Sequence, residues 1–252
     1  MFEPLITAFR TLTVFTIPGR DSNNPSSARP MFPVVGIIIG AMQYMIARGC
    51  VILFPESPMF GGLLVTVAAI CCTGALHLDG FADTADGFGG GRTSKKILEI
   101  FKDSRLGTFG VSAVVFSITG RIILTAWCID FERYELLVVA PVMSRTIQAW
   151  ACSLFPYALP GGEGSSVFFT GEKRLFLTAV SVTCIAIVLL IFRSFSCLTA
   201  VSVAPVPAAV FFGVCKRKIG GLTGDCLGAA NEIVELSVLF SGAVFNSIMR
   251  LL

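Results

Sequence analysis

"GGLLVTVAAICCTGALHLDGFADTADGFGG", Gly61–Gly90, decides how this chain is read. Its first half carries no charge and suits lipid. Its second half places Asp79, Asp83 and Asp86 where the apolar run ends. A greasy segment that delivers three carboxylates to its own end is a membrane segment opening onto a polar site. The rest of the chain agrees. Of 252 residues, 54% are hydrophobic and only 14% charged, against about 25% charged in a soluble domain. These charges are too few to coat a globule of this size. The expected class is all-α, a polytopic helical membrane bundle.

Apolar runs at 34–54, 61–78, 109–128, 136–156, 175–193, 197–215 and 232–250 are each near the ~20 residues that cross a bilayer core. The fourth contains Arg145 and Gln148 and the last Asn246, so the count is six or seven. At the N-terminus, Phe2, Leu5, Ile6, Phe9 and Leu12 share a helical face. With no basic leader region, this reads as an amphipathic helix rather than a signal peptide. A second short amphipathic helix is expected in "TSKKILEIFKDSRLG", with Thr93 or Ser94 as N-cap. The chain reads as one membrane domain, 1–252. Residues 79–108 and 216–231 are expected to be cytoplasmic loops that carry the site.

Orientation follows from lysine and arginine. Segments on alternate sides of seven spans hold thirteen of these residues against three, with the N-terminus on the richer, cytoplasmic side. The net charge of +3 points to no nucleic acid. A single histidine, His77, excludes a multi-histidine metal site, and it reads as an interface residue rather than a ligand. The nine cysteines form no CxxC pair and read as small buried hydrophobes.

Asp79, Asp83 and Asp86 are spaced i, i+4, i+7, within roughly 60° of one another on a helix. Three carboxylates on one face repel unless a cation neutralises them, and all-oxygen ligands suit Mg²⁺ or Mn²⁺. Gly80 and Gly87 would leave bare backbone beside a ligand, and Gly87, Gly89, Gly90 and Gly91 would form a flexible turn for phosphate. Asp103, Ser104 and Arg105 lie on the same expected side. So do Lys216, Arg217, Thr223, Asp225, Asn231, Glu232 and Glu235. Basic groups beside a carboxylate–metal cluster suit a pyrophosphate substrate. Arg145, inside a span, reads either as an ion-pair partner or as a substrate contact.

"HLDGFADTADG" (His77–Gly87), "DSRLGTFG" (Asp103–Gly110), "GGLTGDCLGAANEIVE" (Gly220–Glu235) and "FPVVGIIIGA" (Phe32–Ala41) together resemble the cobalamin synthase family, the adenosylcobinamide-GDP ribazoletransferases. The resemblance runs in order over nearly the whole chain. It implies an Mg²⁺-dependent enzyme of the inner (cytoplasmic) membrane. That enzyme joins adenosylcobinamide-GDP to α-ribazole or its 5′-phosphate and releases GMP. Asp79, Asp83, Asp86 and Asp225 would bind metal, with Asp103 as a further catalytic carboxylate. Ser104, Arg105, Arg145, Lys216, Arg217, Thr223, Gly224, Asn231 and Glu232 would hold substrate. "PYALPGGEGSS" departs from the family pattern, so no role passes to Glu163.

Two other classes compete. A CDP-alcohol phosphotransferase also uses an aspartate cluster at a membrane surface, but it would continue Asp-Gly-x-x-Ala-Arg where this chain has "DGFGG". A transporter would place charges near mid-membrane and show repeated halves, and no repeat is visible. The sequence leaves a homo-oligomer open.

Overall fold

The computed structural model describes residues 2–159, 164–169 and 174–251. Among these the chain is helical without strands, apart from one bridge between Tyr157 and Leu222. In chain order come α1 (Glu3–Leu12), α2 (Phe32–Leu53), α3 (Pro58–Thr73), α4 (Leu76–Gly90), α5 (Ser94–Ile100), α6 (Thr108–Asp130), α7 (Glu135–Leu154), α8 (Arg174–Phe192), α9 (Phe195–Val203), α10 (Pro205–Ile219) and α11 (Gly224–Leu251). Short 3₁₀ turns at Pro25–Met31 and Gly164–Phe169 complete the set. Six helical stretches are long and apolar enough to cross a membrane, or seven if α3 and α4 count as one bent span. This is a multi-pass bundle. Its outer faces expose residues such as Ile52, Phe116, Leu190, Val206 and Phe240, as lipid contact requires.

Both amphipathic helices form as expected. α1 turns Ala8, Phe9 and Leu12 inward, and Arg10 ties its outer face to Asp21 at 2.7 Å. α5 is capped by Thr93, whose side chain accepts from the Lys96 N–H. All nine cysteines are free thiols, and only Cys71 is exposed.

Three boundaries differ from the sequence reading. The second span ends at Thr73 rather than 78. Gly74 and Ala75 are both left-handed, at φ 59° and 58°, and their N–H groups close the end of α3 on Cys71 and Ile70. The chain leaves the turn at 88° to α3 and begins α4. Residues 79–90 are therefore helix, not loop. In the other expected loop, 216–219 belong to α10 and 224–231 to α11, which leaves only a tight turn at Gly220–Thr223. The run 197–215 is divided at Ala204 into α9 and α10, where Pro205 opens a new helix.

One of the two spans that carry polar residues, α7, is the central helix. Nearly every residue from Glu135 to Cys152 is buried. α2 packs along it through Gly36 and Gly40, one turn apart. A Cβ on Gly36 would lie 2.5 Å from the Pro141 carbonyl, and one on Gly40 would lie 2.8 Å from Val138 Cα. Small residues at this spacing bring helix backbones together in lipid, where no hydrophobic force does so.

The two ends of the bundle are distinct. Arg133, Ser194, Phe195, Phe245 and Met249 gather at one. Thr11, His77, Asp79, Gln148, Phe168 and Asp225 gather at the other. This arrangement matches the alternation of sides used to orient the chain.

Gly36→Leu and Gly40→Leu should each destabilise the detergent-solubilised protein by roughly 1–3 kcal/mol or more through overpacking. A Cβ on Gly49 meets nothing within 4 Å, so Gly49→Leu should barely move the melting temperature. Equal melting shifts for all three would refute the close α2–α7 packing.

Candidate active site

α4 lies against the start of α11, and glycines allow it. A Cβ on Gly80 would sit 2.9 Å from Asp225 Cα, and one on Gly228 would sit 3.2 Å from the His77 carbonyl. The glycine after Asp79 therefore serves helix contact rather than a ligand. The contact joins segments far apart in sequence. Asp79 and Asp225 line one cavity of about 190 Å³, whose walls include Leu12, Phe32, His77, Gln148, Phe168 and Leu227. Asp83, half-buried, feels the negative charges of Asp79, Asp225 and Asp86. Among the described residues no ion pair involves Asp79 or Asp83.

The α11 start is held firmly. Thr223 accepts the Cys226 N–H at 3.3 Å, as an N-cap does, and its hydroxyl reaches Asp225 at 3.3 Å. The preceding turn is pinned by Leu222 N–H to the Pro156 carbonyl and Ala158 N–H to the Leu222 carbonyl. Thr223 is buried in this work. Gly224 lines the cavity, where a Cβ would meet Ser165 Oγ.

Asp86 departs from the expected cluster. Its two carboxylate oxygens accept the N–H groups of Gly107 at 2.7 Å and Gly110 at 2.8 Å. Asp86 thus caps the start of α6 from a neighbouring helix, and its charge meets the positive end of that helix dipole. The glycine-rich exit also differs from the expected phosphate turn. Gly87, Gly89 and Gly90 are helical. Gly87 makes room for the Phe101 ring and Gly89 for Phe109.

Among the described residues, no three His, Cys, Asp or Glu side chains converge closely enough to enclose a metal by themselves. Asp79 and Asp225 share the cavity, and Asp83 lies within electrostatic reach of both. Their chemistry still fits Mg²⁺, which takes one or two carboxylates and completes its shell with water and substrate phosphate.

Asp103, Arg105, Asp86 and Gly107 line a separate open groove. Arg105 Nε and Nη2 donate to both Asp103 oxygens at 3.0 and 2.7 Å, a bidentate pair. These hydrogen bonds pull the Asp103 carboxyl down to about 2. Ser104 beside them is exposed. Lys216 and Arg217 are exposed on the last turn of α10. Lys218 bonds the Phe88 carbonyl at 3.0 Å and lies 4.9 Å from that ring's centre, neutralising the end of α4.

Arg145, Asn231 and Glu232 belong to a deeper structure. Arg121 of α6 forks onto Glu232 at 2.9 and 3.0 Å and reaches Glu235 at 2.6 Å. Arg145 of α7 pairs with Glu235. Ser117 donates to Glu232, and Ser144 and Asn231 donate to Glu235. Arg121, Arg145, Glu232 and Glu235 are all buried. Arg145 forms the ion pair that was one of its two readings. Asn231 and Glu232, expected at the substrate, lie in this network and tie α11 to α6. Arg121 escaped the sequence reading because it sits alone in an apolar run. The available signal was opposite charge in apolar runs, Arg121 and Arg145 against Glu232 and Glu235. His77 is buried rather than interfacial, with Nδ1 3.5 Å from the Arg145 guanidinium. Glu163 lies outside the described residues.

Residues 4–243 match the family described as cobalamin-5-phosphate synthase. The chain belongs to the cobalamin-5-phosphate synthase family. Proteins named adenosylcobinamide-GDP ribazoletransferase are similar to it along most of their length. The one from Chlorobaculum tepidum is 36% identical, covering 97% of this chain and 96% of its own. The one from Syntrophobacter fumaroxidans is 35% identical over 96% and 99%. That from Clostridium kluyveri is 37% identical over 81% and 80%. No solved structure matches.

The four stretches that resemble the cobalamin-5-phosphate synthase family divide by what they do here. Phe32–Ala41 packs on α7 and gives Phe32 to the cavity wall. His77–Gly87 and Gly220–Glu235 form the cavity and the helix contact beneath it. Asp103–Gly110 forms the groove and the capped start of α6.

Asp86→Ala should cost about 1–2 kcal/mol of stability by uncapping α6. Gly110→Ala should do likewise, because its Cβ would collide with the Asp86 carboxylate. Thermal melts of both variants check this, and an unshifted melt for both would refute the cap. Arg121→Met should be worse, roughly 3–5 kcal/mol, because it strands Glu232 and Glu235 in a dry interior. Wild-type melting behaviour of Arg121→Met would show that the network does not hold the bundle.

Proposed function

We propose that this protein joins adenosylcobinamide-GDP to α-ribazole, or to its 5′-phosphate, and releases GMP. The whole-chain family match and the relatives' shared name support a transferase of this kind over a lipid-forming phosphotransferase or a transporter. The observation that carries the reading is the meeting of Asp79 on α4 with Asp225 on α11 at one cavity, beside Asp83. Carboxylates gathered without a cation suit a reaction on a metal-bound diphosphate. The lysine and arginine asymmetry supports an inner-membrane protein with this end facing the cytoplasm.

In this reading a ribose hydroxyl oxygen attacks the cobinamide-bearing phosphorus. The P–O bond to the guanosine phosphate breaks, and GMP departs. Two of the Asp79, Asp83 and Asp225 carboxylates would hold Mg²⁺, which when bound neutralises diphosphate charge, and the third would take the hydroxyl proton. Arg105, Lys216 and Arg217 supply the remaining positive charge at the open face. The Asp103–Arg105 pair is exposed, so exchanging Asp103 for a phosphate oxygen costs little. Asp103 then positions Arg105 rather than acting on substrate. The protein's main contribution is to place the hydroxyl against the phosphorus.

Vesicle-reconstituted protein given adenosylcobinamide-GDP, α-ribazole and Mg²⁺ should release GMP. Asp79→Asn, Asp83→Asn and Asp225→Asn should each slow release by about 100-fold or more, a loss of several kcal/mol of transition-state stabilisation. Arg105→Ala should raise KM for adenosylcobinamide-GDP about 10-fold, the worth of a charge-assisted contact. Its KM for α-ribazole should stay unchanged. Near-normal turnover by the aspartate variants would remove the cluster from the chemistry.

A further inference from the structure

The outer face of α5 is basic, and its inner face is locked. Ile97 and Phe101 enter the space left by Gly87 and Gly91 of the α4 end. That seating turns Lys95, Lys96 and Glu99 outward, and Arg92 and Lys102 are exposed on either side of the helix. Two acids sit among these cations, and both are taken. Glu99 pairs with Lys96 at 3.4 Å, and Asp103 pairs with Arg105. Among the described residues, Arg92, Lys95 and Lys102 have no ion pair. Exposed like charges held together on one face repel unless anions gather on them.

The depth of this face identifies the anion. α5 is level with the last turns of α10, because one ring joins them. Phe88 lies 5.9 Å from Phe101, 6.4 Å from Phe211 of α10, and 4.9 Å below the Lys218 ammonium. α10 closes one membrane-crossing stretch, Phe195–Ile219, and α6 opens another, Thr108–Asp130, soon after Lys102. The cations of α5 therefore stand where two spans leave the hydrocarbon, at the depth of lipid headgroups. Beside them Leu106 and Phe109 are exposed, at 58% and 57%, and exposed Phe116 continues the face of Phe109 on α6. An apolar strip thus runs from the basic face down the outside of a span. A soluble acidic protein would meet the cations alone. A phospholipid matches both parts, with phosphate on the cations and an acyl chain along the strip.

We infer that the outer face of α5 is a docking site for acidic phospholipid of the cytoplasmic leaflet. Arg92, Lys95, Lys96 and Lys102 hold its headgroup, and Leu106, Phe109 and Phe116 carry its chain. Arg105, Lys216 and Arg217 stay with the nucleotide, so this site is separate from the one proposed for the reaction. Bound lipid steadies α5 and, through Ile97 and Phe101, the far end of the helix that carries Asp79 and Asp83. The test reads lipid rather than turnover, so it stands or falls apart from the transferase reading.

The full chain in neutral detergent is titrated with phosphatidylglycerol and with phosphatidylethanolamine, and bound lipid is counted by native mass spectrometry. Wild type should hold phosphatidylglycerol about tenfold more tightly, and added salt should shrink the difference. Arg92→Gln/Lys95→Gln/Lys102→Gln should bring the two lipids within about twofold of each other. Arg92→Lys/Lys95→Arg/Lys102→Arg keeps the charge and should keep the preference. All three proteins should melt alike in lipid-free detergent. If the triple glutamine variant melts lower, Lys95→Gln alone is read in its place and should lose part of the preference. Equal affinity of wild type for the two lipids, or an undiminished preference in the glutamine variants, overturns the site. Glycerol phosphate competing at lipid-like concentrations would make it a free-phosphate site. Tighter binding of a polyglutamate peptide than of lipid would make it a face for acidic protein. Either result overturns the proposal.

Discussion

Two arginines and two glutamates buried among membrane helices must neutralise one another. In a medium without water an unpaired charge costs far more than any single packing contact returns. Arg121, Arg145, Glu232 and Glu235 satisfy this by meeting at one point, with Ser117, Ser144 and Asn231 filling the remaining acceptor positions. The arginine fork is planar, so the Arg121–Glu232 contact sets angle as well as distance. Three helices, α6, α7 and α11, are thereby fixed in rotation and depth. No sliding of α11 along α6 preserves the pairing.

The position of the site follows from that lock. Glu232 and Glu235 set the register of α11, and Asp225 lies two turns before Glu232 on the same helix. α4 then seats on α11 through Gly80 and Gly228, and its own register sets Asp79 and Asp83. The far end of α4 is secured twice more. Asp86 takes the free N–H groups of α6, and Lys218 takes a terminal carbonyl of α4. Carboxylates at the cavity are thus carried on rigid helices, while the exposed Asp103–Arg105 pair stays free to exchange partners. That division suits a reaction whose chief demand is placement of two substrates.

Glycine in this chain shows why a local rule misreads a membrane protein. In a soluble protein, a run such as Gly87–Gly91 beside aspartates implies a flexible loop. Here Gly87, Gly89 and Gly90 remain helical and only Gly91 is extended, and the space left by Gly87 and Gly89 is filled by Phe101 and Phe109. In lipid the backbone must satisfy its own hydrogen bonds, so helix persists through glycine. What glycine contributes is close approach, at Gly36 and Gly40 against α7 and at Gly80 against α11.

Composition and the spacing of apolar runs determined the all-helical multi-pass class and the amphipathic helices α1 and α5. Those features depend on local periodicity and on the thickness of a bilayer. Motif residues determined the family. Charge counts separated the two faces of the bundle. The right-angle turn at Gly74–Ala75 escaped because the apolar run continues through it, and nothing local distinguishes a bent span from a straight one. Asp86 was indistinguishable from Asp79 and Asp83 by spacing, and only the arrival of α6 at its side made it a cap. Arg121 was invisible as a partner because its glutamates lie more than a hundred residues away. The cavity that brings His77 and Gln148 together exists only once α1, α4, α7 and α11 have packed, since no pair of neighbouring segments encloses it alone.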